Sequence, residues 1–256
     1  MKWKLKINST FNFLFLLAWL LPSFAFAVAK VSKQTSRDWG FEITVSDGLI
    51  TPTNFQTIEH YLSTEPSIDR LRLNLNDCLF HNAVNVSANL KSLMALLQRL
   101  PKLNELVLDL STNNIGKESV QVFSEGLKKL TGLKKFRLIL EKNPLTDEGI
   151  KALAEALEHL VELEELTLEF DFTEMSDDGA LALLKAFQNL PKLRGLIVHI
   201  QGNRLTDLSL RALRQFFVTH QGDRVRALHC DHPRAPTLPP IAPHLGATAC
   251  TQGSAT

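Results

Sequence analysis

Cysteine is scarce in this chain, which holds only Cys78, Cys230 and Cys250 among its 256 residues. An odd number of cysteines cannot all pair within one chain, so disulfides do not form the scaffold of the fold. One pairing stays open, because a bond between Cys230 and Cys250 would tie the C-terminal segment to the domain. Cys78 is expected to be a buried structural thiol.

The chain also lacks an excess of charge of either sign. Its 28 lysines and arginines and 27 aspartates and glutamates give a formal net charge of +1 at pH 7. Residues 1–27 contain three lysines and no acidic residue, so the remainder carries a net charge of −2. A chain without surplus positive charge binds nucleic acid and anionic membranes poorly. Neither is therefore expected as a partner.

Motifs that carry catalytic chemistry are missing. The sequence contains no G-x-S-x-G, H-E-x-x-H, C-x-x-C or phosphate-loop pattern. Asp147, Asp177 and Asp207 recur every 30 residues, a spacing that indicates helix caps rather than paired catalytic acids. No catalytic residue and no cofactor are therefore expected.

One short segment, His229-Cys230-Asp231-His232, has the composition of a metal site. In a strand, however, His229 and Asp231 would lie on one face and Cys230 on the other. Because the donors are divided between two faces, no common metal is predicted.

Long apolar runs are limited to the first 27 residues. Lys2, Lys4 and Lys6 come first, an apolar run from Phe11 to Phe26 follows, and Ala25-Phe26-Ala27 supplies small residues for cleavage. This order is typical of a secretory signal. The sequence predicts a signal peptide over residues 1–27 and a secreted or periplasmic protein, with an uncleaved membrane anchor as the alternative.

Repetition is the feature that the chain has in abundance. Leu103–Ile115, Leu133–Leu145, Leu163–Met175 and Leu193–Leu205 are aligned at intervals of 30 residues. Each has the form L-x-x-[LF]-x-[LV]-x-[LFI]-x-x-[NT]-x-[LIM], and its first leucine is numbered position 1 below. Self-similarity at this period predicts a solenoid, in which each repeat packs against its neighbours.

Two periodicities alternate within each repeat. Apolar residues at positions 4, 6 and 8 have the alternation of a half-buried strand, as in Leu106, Leu108 and Leu110. After position 13 the spacing becomes helical, and the start of each helix carries Thr146-Asp147, Ser176-Asp177 or Thr206-Asp207. These hydroxyl and carboxylate groups are expected to cap the helix that they begin.

Position 11 is expected to have a mechanical role. Asn113, Asn143 and Asn203 occupy it in three repeats, Thr173 in a fourth and Cys78 in an earlier, weaker one. The asparagines are predicted to turn inward and form hydrogen bonds with the backbone of the next coil, since buried polar groups need partners. Thr173 is expected to do this less well.

Over residues 38–230 the pattern resembles the leucine-rich repeat, L-x-x-L-x-L-x-x-[NC]-x-L. The long helical half and the D-E-G-type helix start are similar to the ribonuclease-inhibitor-like subclass, with strands lengthened by an extra x-L pair. The resemblance implies an α/β solenoid, a horseshoe with about seven parallel strands on the concave face and helices on the convex face. The predicted solenoid spans 28–231 with irregular end repeats, and a Pro-rich tail at 232–256 is expected to be disordered.

The concave face is the candidate binding site, because positions 3, 5, 7 and 9 point out of the predicted sheet. These positions combine aliphatic and acidic side chains, as surfaces for protein recognition do. An alternative is that the aliphatic residues are ordinary and that Glu105–Lys135–Glu165 is a solvated cross-strand ladder. The candidate partner-binding residues are Val107, Asp109, Arg137, Ile139, Glu141, Glu165, Thr167, Glu169, Asp171, Ile197 and His199.

The sequence therefore predicts an exported, monomeric protein-binding module whose ligand is a basic or amphipathic protein. A secreted microbial effector is a specific form of this prediction. One alternative is a structural or envelope protein that binds neighbouring chains or polysaccharide. Another is a GTPase-activating or other enzymatic role, which only the family resemblance suggests.

Overall fold

The computed structural model of the chain describes residues 30–36, 40–46, 52–65, 67–78, 83–219 and 226–230. The predicted signal peptide and the Pro-rich tail lie outside these residues, as do Asp231, His232 and Cys250.

Strands and helices alternate along the described part of the chain. The strands are β1 (Lys30–Ser36), β2 (Gly40–Ser46), β3 (Arg70–Asn74), β4 (Glu105–Asp109), β5 (Lys135–Ile139), β6 (Glu165–Glu169), β7 (Gly195–His199) and β8 (Arg226–His229). The helices are α1 (Pro52–Ser63), α2 (Ala83–Leu97), α3 (Lys117–Leu127), α4 (Thr146–Glu158), α5 (Asp177–Gln188) and α6 (Asp207–Thr219).

The eight strands form one sheet in the order in which they occur in the chain. Strands β2 to β8 are parallel, so the prediction of about seven parallel strands is confirmed. Strand β1 was not predicted, because it carries no repeat leucine. It runs antiparallel to β2, with Val31 opposite Val45, and covers an edge whose backbone groups would otherwise lack partners.

The core is a column of aliphatic side chains between the sheet and the helices. Leu108, Leu138, Leu168 and Val198 are register neighbours in β4 to β7, and each is at most 1% exposed. In β5, β6 and β7 buried residues alternate with more accessible ones, as the two-residue period of a strand requires.

Two glycines allow the helices to pack closely. A Cβ atom at Gly126 of α3 would lie 2.5 Å from Cβ of Met94 in α2. A Cβ atom at Gly149 of α4 would lie 2.5 Å from Cγ1 of Val120 in α3. Since Cβ atoms do not come this close, a larger residue at either position would force neighbouring helices apart.

The asparagine ladder exists, but its direction differs from the prediction. The Asn143 carboxamide oxygen accepts hydrogen bonds from the N–H groups of Asn113 and Ile115, each 2.9 Å long, and the amide nitrogen donates to Leu110 O at 3.0 Å. These partners lie in the preceding coil, so the predicted bond to the next coil is wrong. The backbone N–H groups that follow a strand point toward the next coil; the Thr112 N–H, for example, donates to Glu141 O. The asparagine side chain of that next coil therefore accepts hydrogen bonds from such groups.

Thr173 interrupts the ladder, as predicted. Its hydroxyl lies 2.9 Å from Phe170 O in its own coil, and the Leu145 N–H of the preceding coil donates to Asn143 O instead. Thr146 then begins α4 with a φ of 58°, a conformation that a β-branched residue rarely adopts. The shorter threonine side chain therefore changes how the neighbouring helix starts.

Asp147 and Asp177 cap the following helix, and for these two carboxylates the prediction that they cap their own helix is wrong. Asp147 Oδ1 accepts hydrogen bonds from the N–H groups of Ser176 (2.8 Å) and Gly179 (3.1 Å) at the start of α5. Asp177 Oδ1 accepts a hydrogen bond from the Thr206 N–H at 2.8 Å, directly before α6. Each aspartate lies inside the first turn of its own helix, from where its side chain reaches the neighbouring N-terminus.

Burial of the Asp147 side chain by itself would raise its pKa. The hydrogen bonds from the Ser176 hydroxyl, the Ser176 N–H and the Gly179 N–H outweigh this effect, so the pKa of Asp147 is below its ordinary value. The carboxylate is therefore held in its charged form, which suits an N-terminal helix cap.

Among the residues described above, no helix combines the length and the apolar character that crossing a bilayer requires.

Candidate protein-binding face

The side of the sheet turned away from the helices is called the open face here. It is built from positions 3, 5, 7 and 9 of the coils, and register pairing aligns each position across neighbouring strands. Thr167, for example, lies between Arg137 of β5 and Ile197 of β7. The predicted site residues are therefore brought together on one surface.

Val107 is a correction to the predicted site. It is 6% exposed and counts as buried, so the prediction that it offers an accessible aliphatic surface is wrong. Its neighbours in register are Arg72 and Arg137, whose long stems are able to cover a valine. Ile139 and Ile197 remain half-exposed and are the aliphatic residues of the open face.

Two of the predicted acidic residues are neutralised within the chain. Glu169 accepts a hydrogen bond from Arg137 Nε at 2.7 Å, and Glu165 lies 3.3 Å from Lys135 Nζ. The alternative interpretation of a solvated cross-strand ladder therefore holds for Lys135 and Glu165. These pairs are partly exposed, so each contributes little to stability.

Four carboxylates surround Ile139: Asp109, Glu141, Glu169 and Asp171, called the acidic cluster below. Desolvation raises the pKa of Glu141, and repulsion from Asp171, Glu169 and Asp109 raises it further. No ion pair involves Glu141 in the part of the chain that the structure describes. Three like charges thus surround the Glu141 carboxyl group, and Lys142 opposes their effect on its pKa.

Backbone contacts fix two members of the acidic cluster. Asp109 Oδ1 accepts the N–H of Ser111 at 3.0 Å, and Asp171 Oδ1 accepts the N–H of Gln201 at 2.6 Å. The Ser111 hydroxyl also donates to Asp109. Carboxylates held in this way lose little further freedom when they bind a ligand.

A stacked pair of histidines lies beside the acidic cluster. The rings of His199 and His229 are 4.2 Å apart between centroids with an interplanar angle of 11°. His199 follows Glu169 in register, and His229 follows His199. Desolvation lowers the pKa of His229, the neighbouring His199 lowers it further, and Asp171 opposes both effects.

His229 belongs to this face but was not predicted to, because the sequence suggested it only as a metal ligand. Its place at position 7 of the last coil is the signal that would have identified it. The predicted division of donors in that segment is confirmed for the two described residues: His229 lies on the open face, and Cys230 is buried at 3% exposure. Within the residues that have been placed, no group of three or more side chains is arranged to hold a metal.

Part of the chain matches a known protein family. Residues 137–154, which include parts of β5 and α4, match the family model described as Leucine Rich repeat. No curated protein matches the chain. Together with the stacked strand–helix coils, the match defines the fold as a leucine-rich-repeat solenoid and supports placing the chain among leucine-rich-repeat proteins. The ribonuclease-inhibitor-like subclass stays a prediction.

Proposed function

We propose that this chain is a protein-binding module that takes a cationic segment of a partner protein on its open face. The fold is typical of binding scaffolds rather than of enzymes. The observation that carries the proposal is Glu141, whose carboxyl group lies near Asp171, Glu169 and Asp109 and has no ion pair within the described residues. A positively charged ligand would supply the missing partner.

Several other pairs of charged residues at the same spacing form ion pairs. Residues 30 apart occupy the same position in neighbouring coils, and opposite charges meet there in Glu162–Lys192 at 2.6 Å and Glu174–Arg204 at 3.3 Å. Glu141 and Asp171 are also 30 residues apart, yet both are acidic. Like charges in neighbouring strands destabilise a sheet, so the fold alone does not favour this arrangement.

The geometry favours lysine or arginine side chains in an extended segment. Neighbouring parallel strands are ~4.8 Å apart, so a segment that crosses the strands meets acidic side chains at short intervals. Ile139 lies among them and is half-exposed. The aliphatic stem of a lysine or arginine packs on such a residue while its charged end reaches a carboxylate.

The proposal includes export, on the strength of the signal-like residues 1–27. The chain would then meet its partner as a secreted or periplasmic monomer, with a secreted effector as the specific form. A protein ligand fits a surface that combines carboxylates with exposed aliphatic residues better than a polysaccharide does.

Peptide selection tests the proposal. The full-length chain is used to select dodecapeptides from a random library, and fluorescence anisotropy measures the Kd of the enriched peptides. We expect peptides rich in lysine and arginine, with affinity reduced about tenfold by the Glu141→Gln, Asp171→Asn double variant.

The matched control removes two charges from the helix side. Glu155→Gln and Glu158→Gln in α4 change the net charge equally but leave the open face intact. We expect this control to change the Kd by less than about twofold. Equal losses in the two double variants would mean that net charge rather than the open face binds the peptide, and the proposal would then be wrong.

A further inference from the structure

We infer that Phe172 is a specificity-determining contact of this face, an aromatic platform that selects arginine over lysine in the bound segment. The inference rests on the proposed function, since it concerns the same cationic ligand. Phe172 directly follows Asp171 of the acidic cluster and begins the turn after β6.

The conformation of Phe172 is unfavourable for its residue type. In the four regular repeats position 10 is a left-handed residue, with φ of 57° at Thr112, 54° at Lys142, 56° at Phe172 and 64° at Gly202. Glycine suits this conformation best, and asparagine or aspartate stabilises it with a local hydrogen bond. A phenylalanine ring forms no such hydrogen bond, so the conformation of the turn does not explain why phenylalanine occupies this position.

Phe172 is also unusually accessible. It is 55% exposed and is the one aromatic among the large hydrophobic residues of the described chain that are exposed. A single exposed apolar residue is ordinary on a protein surface. The combination of exposure, a disfavoured backbone and adjacency to the acidic cluster is what points to a ligand.

The following coil leaves room for the ring. A Cβ atom at Gly202 would lie 2.3 Å from Cδ1 and Cε1 of Phe172, so any larger residue there would displace the ring. Phe172 N donates to Gln201 O at 2.9 Å, and Asp171 Oδ1 accepts Gln201 N at 2.6 Å. The ring lies against Gly202 and the Asp171 carboxylate contacts Gln201, so both side chains lie against adjacent residues of the same turn in the next coil.

This pairing of ring and carboxylate matches the chemistry of arginine. A planar guanidinium stacks on an aromatic face while its N–H groups form a bidentate contact with a carboxylate. A lysine ammonium is a compact, strongly hydrated charge and gains less from the ring. Phe172 and Asp171 together therefore favour arginine at one position of the ligand.

The test compares a selected arginine-containing dodecapeptide with versions in which each arginine is replaced by lysine. For the unmodified full-length chain, replacement of one arginine is expected to weaken binding about tenfold. In Phe172→Leu, which keeps an apolar side chain but loses the ring, the same replacement of arginine by lysine should weaken binding by less than about threefold. An undiminished arginine preference in Phe172→Leu would overturn the inference.

A second pair of variants separates ligand contact from a structural role. Phe172→Gly relieves the left-handed backbone, so its Tm should be equal to or above that of the unmodified chain while its affinity falls about tenfold. Thr112→Gly relieves the same strain in an earlier coil and should leave the affinity unchanged.

The outcomes distinguish the two proposals. If Phe172→Gly binds as tightly as the unmodified chain while the Glu141→Gln, Asp171→Asn variant does not, the cationic site stands and the role of Phe172 is wrong. If the unmodified chain binds no cationic peptide, both are wrong.

Discussion

At the scale of single residues, the buried carboxamide of Asn143 connects two coils. The side chain is 1% exposed, and its oxygen accepts N–H groups of the preceding coil at Asn113 and Ile115. These donors have no access to water, so removing their acceptor leaves buried polar groups unsatisfied. Asparagine at this position therefore stabilises the packing of one coil on the next.

Replacing Asn143 by leucine is expected to lower the free energy of unfolding by about 3 kcal/mol, since two buried N–H groups lose their acceptor. Urea unfolding followed by circular dichroism measures the change. The control Asn104→Ala removes a long, exposed hydrogen bond to Lys102 O (3.3 Å) and should cost less than about 0.5 kcal/mol. Equal losses would show that the ladder adds nothing to stability.

At the scale of secondary-structure elements, the N-termini of α5 and α6 depend on the coil before them. Asp147 from α4 caps α5, and Asp177 from α5 caps the start of α6. The carboxylate of one coil therefore stabilises the next helix, which couples neighbouring repeats through electrostatics as well as through the core.

Asp147→Asn should lower the free energy of unfolding by about 1 kcal/mol near neutral pH. Because the folded-state pKa of Asp147 lies below its ordinary value, its contribution is present above the ordinary aspartate pKa and is lost as the pH falls through the lowered value. Urea unfolding at pH 7, 5 and 3 should therefore show a difference from the unmodified chain that shrinks toward acid.

Asp178→Asn is the matched control for this prediction, because Asp178 lies in the first turn of α5, the helix that Asp147 caps, but pairs with Lys151 on the surface at 2.9 Å. It should change stability by less than about 0.5 kcal/mol. A constant difference between Asp147→Asn and the unmodified chain down to pH 3 would contradict the capping role.

We expect cation binding by the open face to depend on pH. Glu141 has a raised pKa, so it loses its charge at a higher pH than an ordinary glutamate. His229 stacks on His199 near Asp171, and protonation of His229, which occurs at a lower pH than in an ordinary histidine, adds positive charge there. Both changes reduce the negative charge of the open face, and Arg137 is the fixed cation beside them.

The affinity for a selected cationic dodecapeptide should accordingly fall at least about tenfold between pH 7.5 and pH 5. Anisotropy titrations at constant ionic strength measure it. The variant His229→Gln should lose less affinity over this range, with the remaining loss assigned to Glu141. An affinity that rises toward acid would show that the carboxylates are not the binding groups.

At the scale of the whole molecule, the repeat leucines determine most of what could be predicted. Their two periods predict strand, helix and register, because each coil buries the same positions. Strand β1 was missed since Lys30–Ser36 has no leucine and is recognised only by its pairing with β2. The repeat pattern also could not predict which neighbouring coil Asn143 bonds to. That choice depends on the direction of backbone N–H groups, which residue spacing does not encode.

The binding face could be predicted by position but not by accessibility. Position counting placed Ile139, Glu141 and Asp171 correctly on one surface. It could not predict that Val107 is buried between arginines or that Arg137 pairs with Glu169, because both depend on side-chain conformation. The residues that sequence reasoning misjudged are thus those whose environment comes from neighbouring coils.

Site-specific photo-cross-linking tests the central claim most directly. A benzophenone amino acid replaces Ile139 on the open face or, in the matched control, the exposed Glu155 of α4, and a selected cationic dodecapeptide is added before irradiation. The account predicts a peptide adduct from position 139, suppressed by Glu141→Gln with Asp171→Asn, and none above background from position 155. An adduct from position 155 with none from position 139 would contradict it.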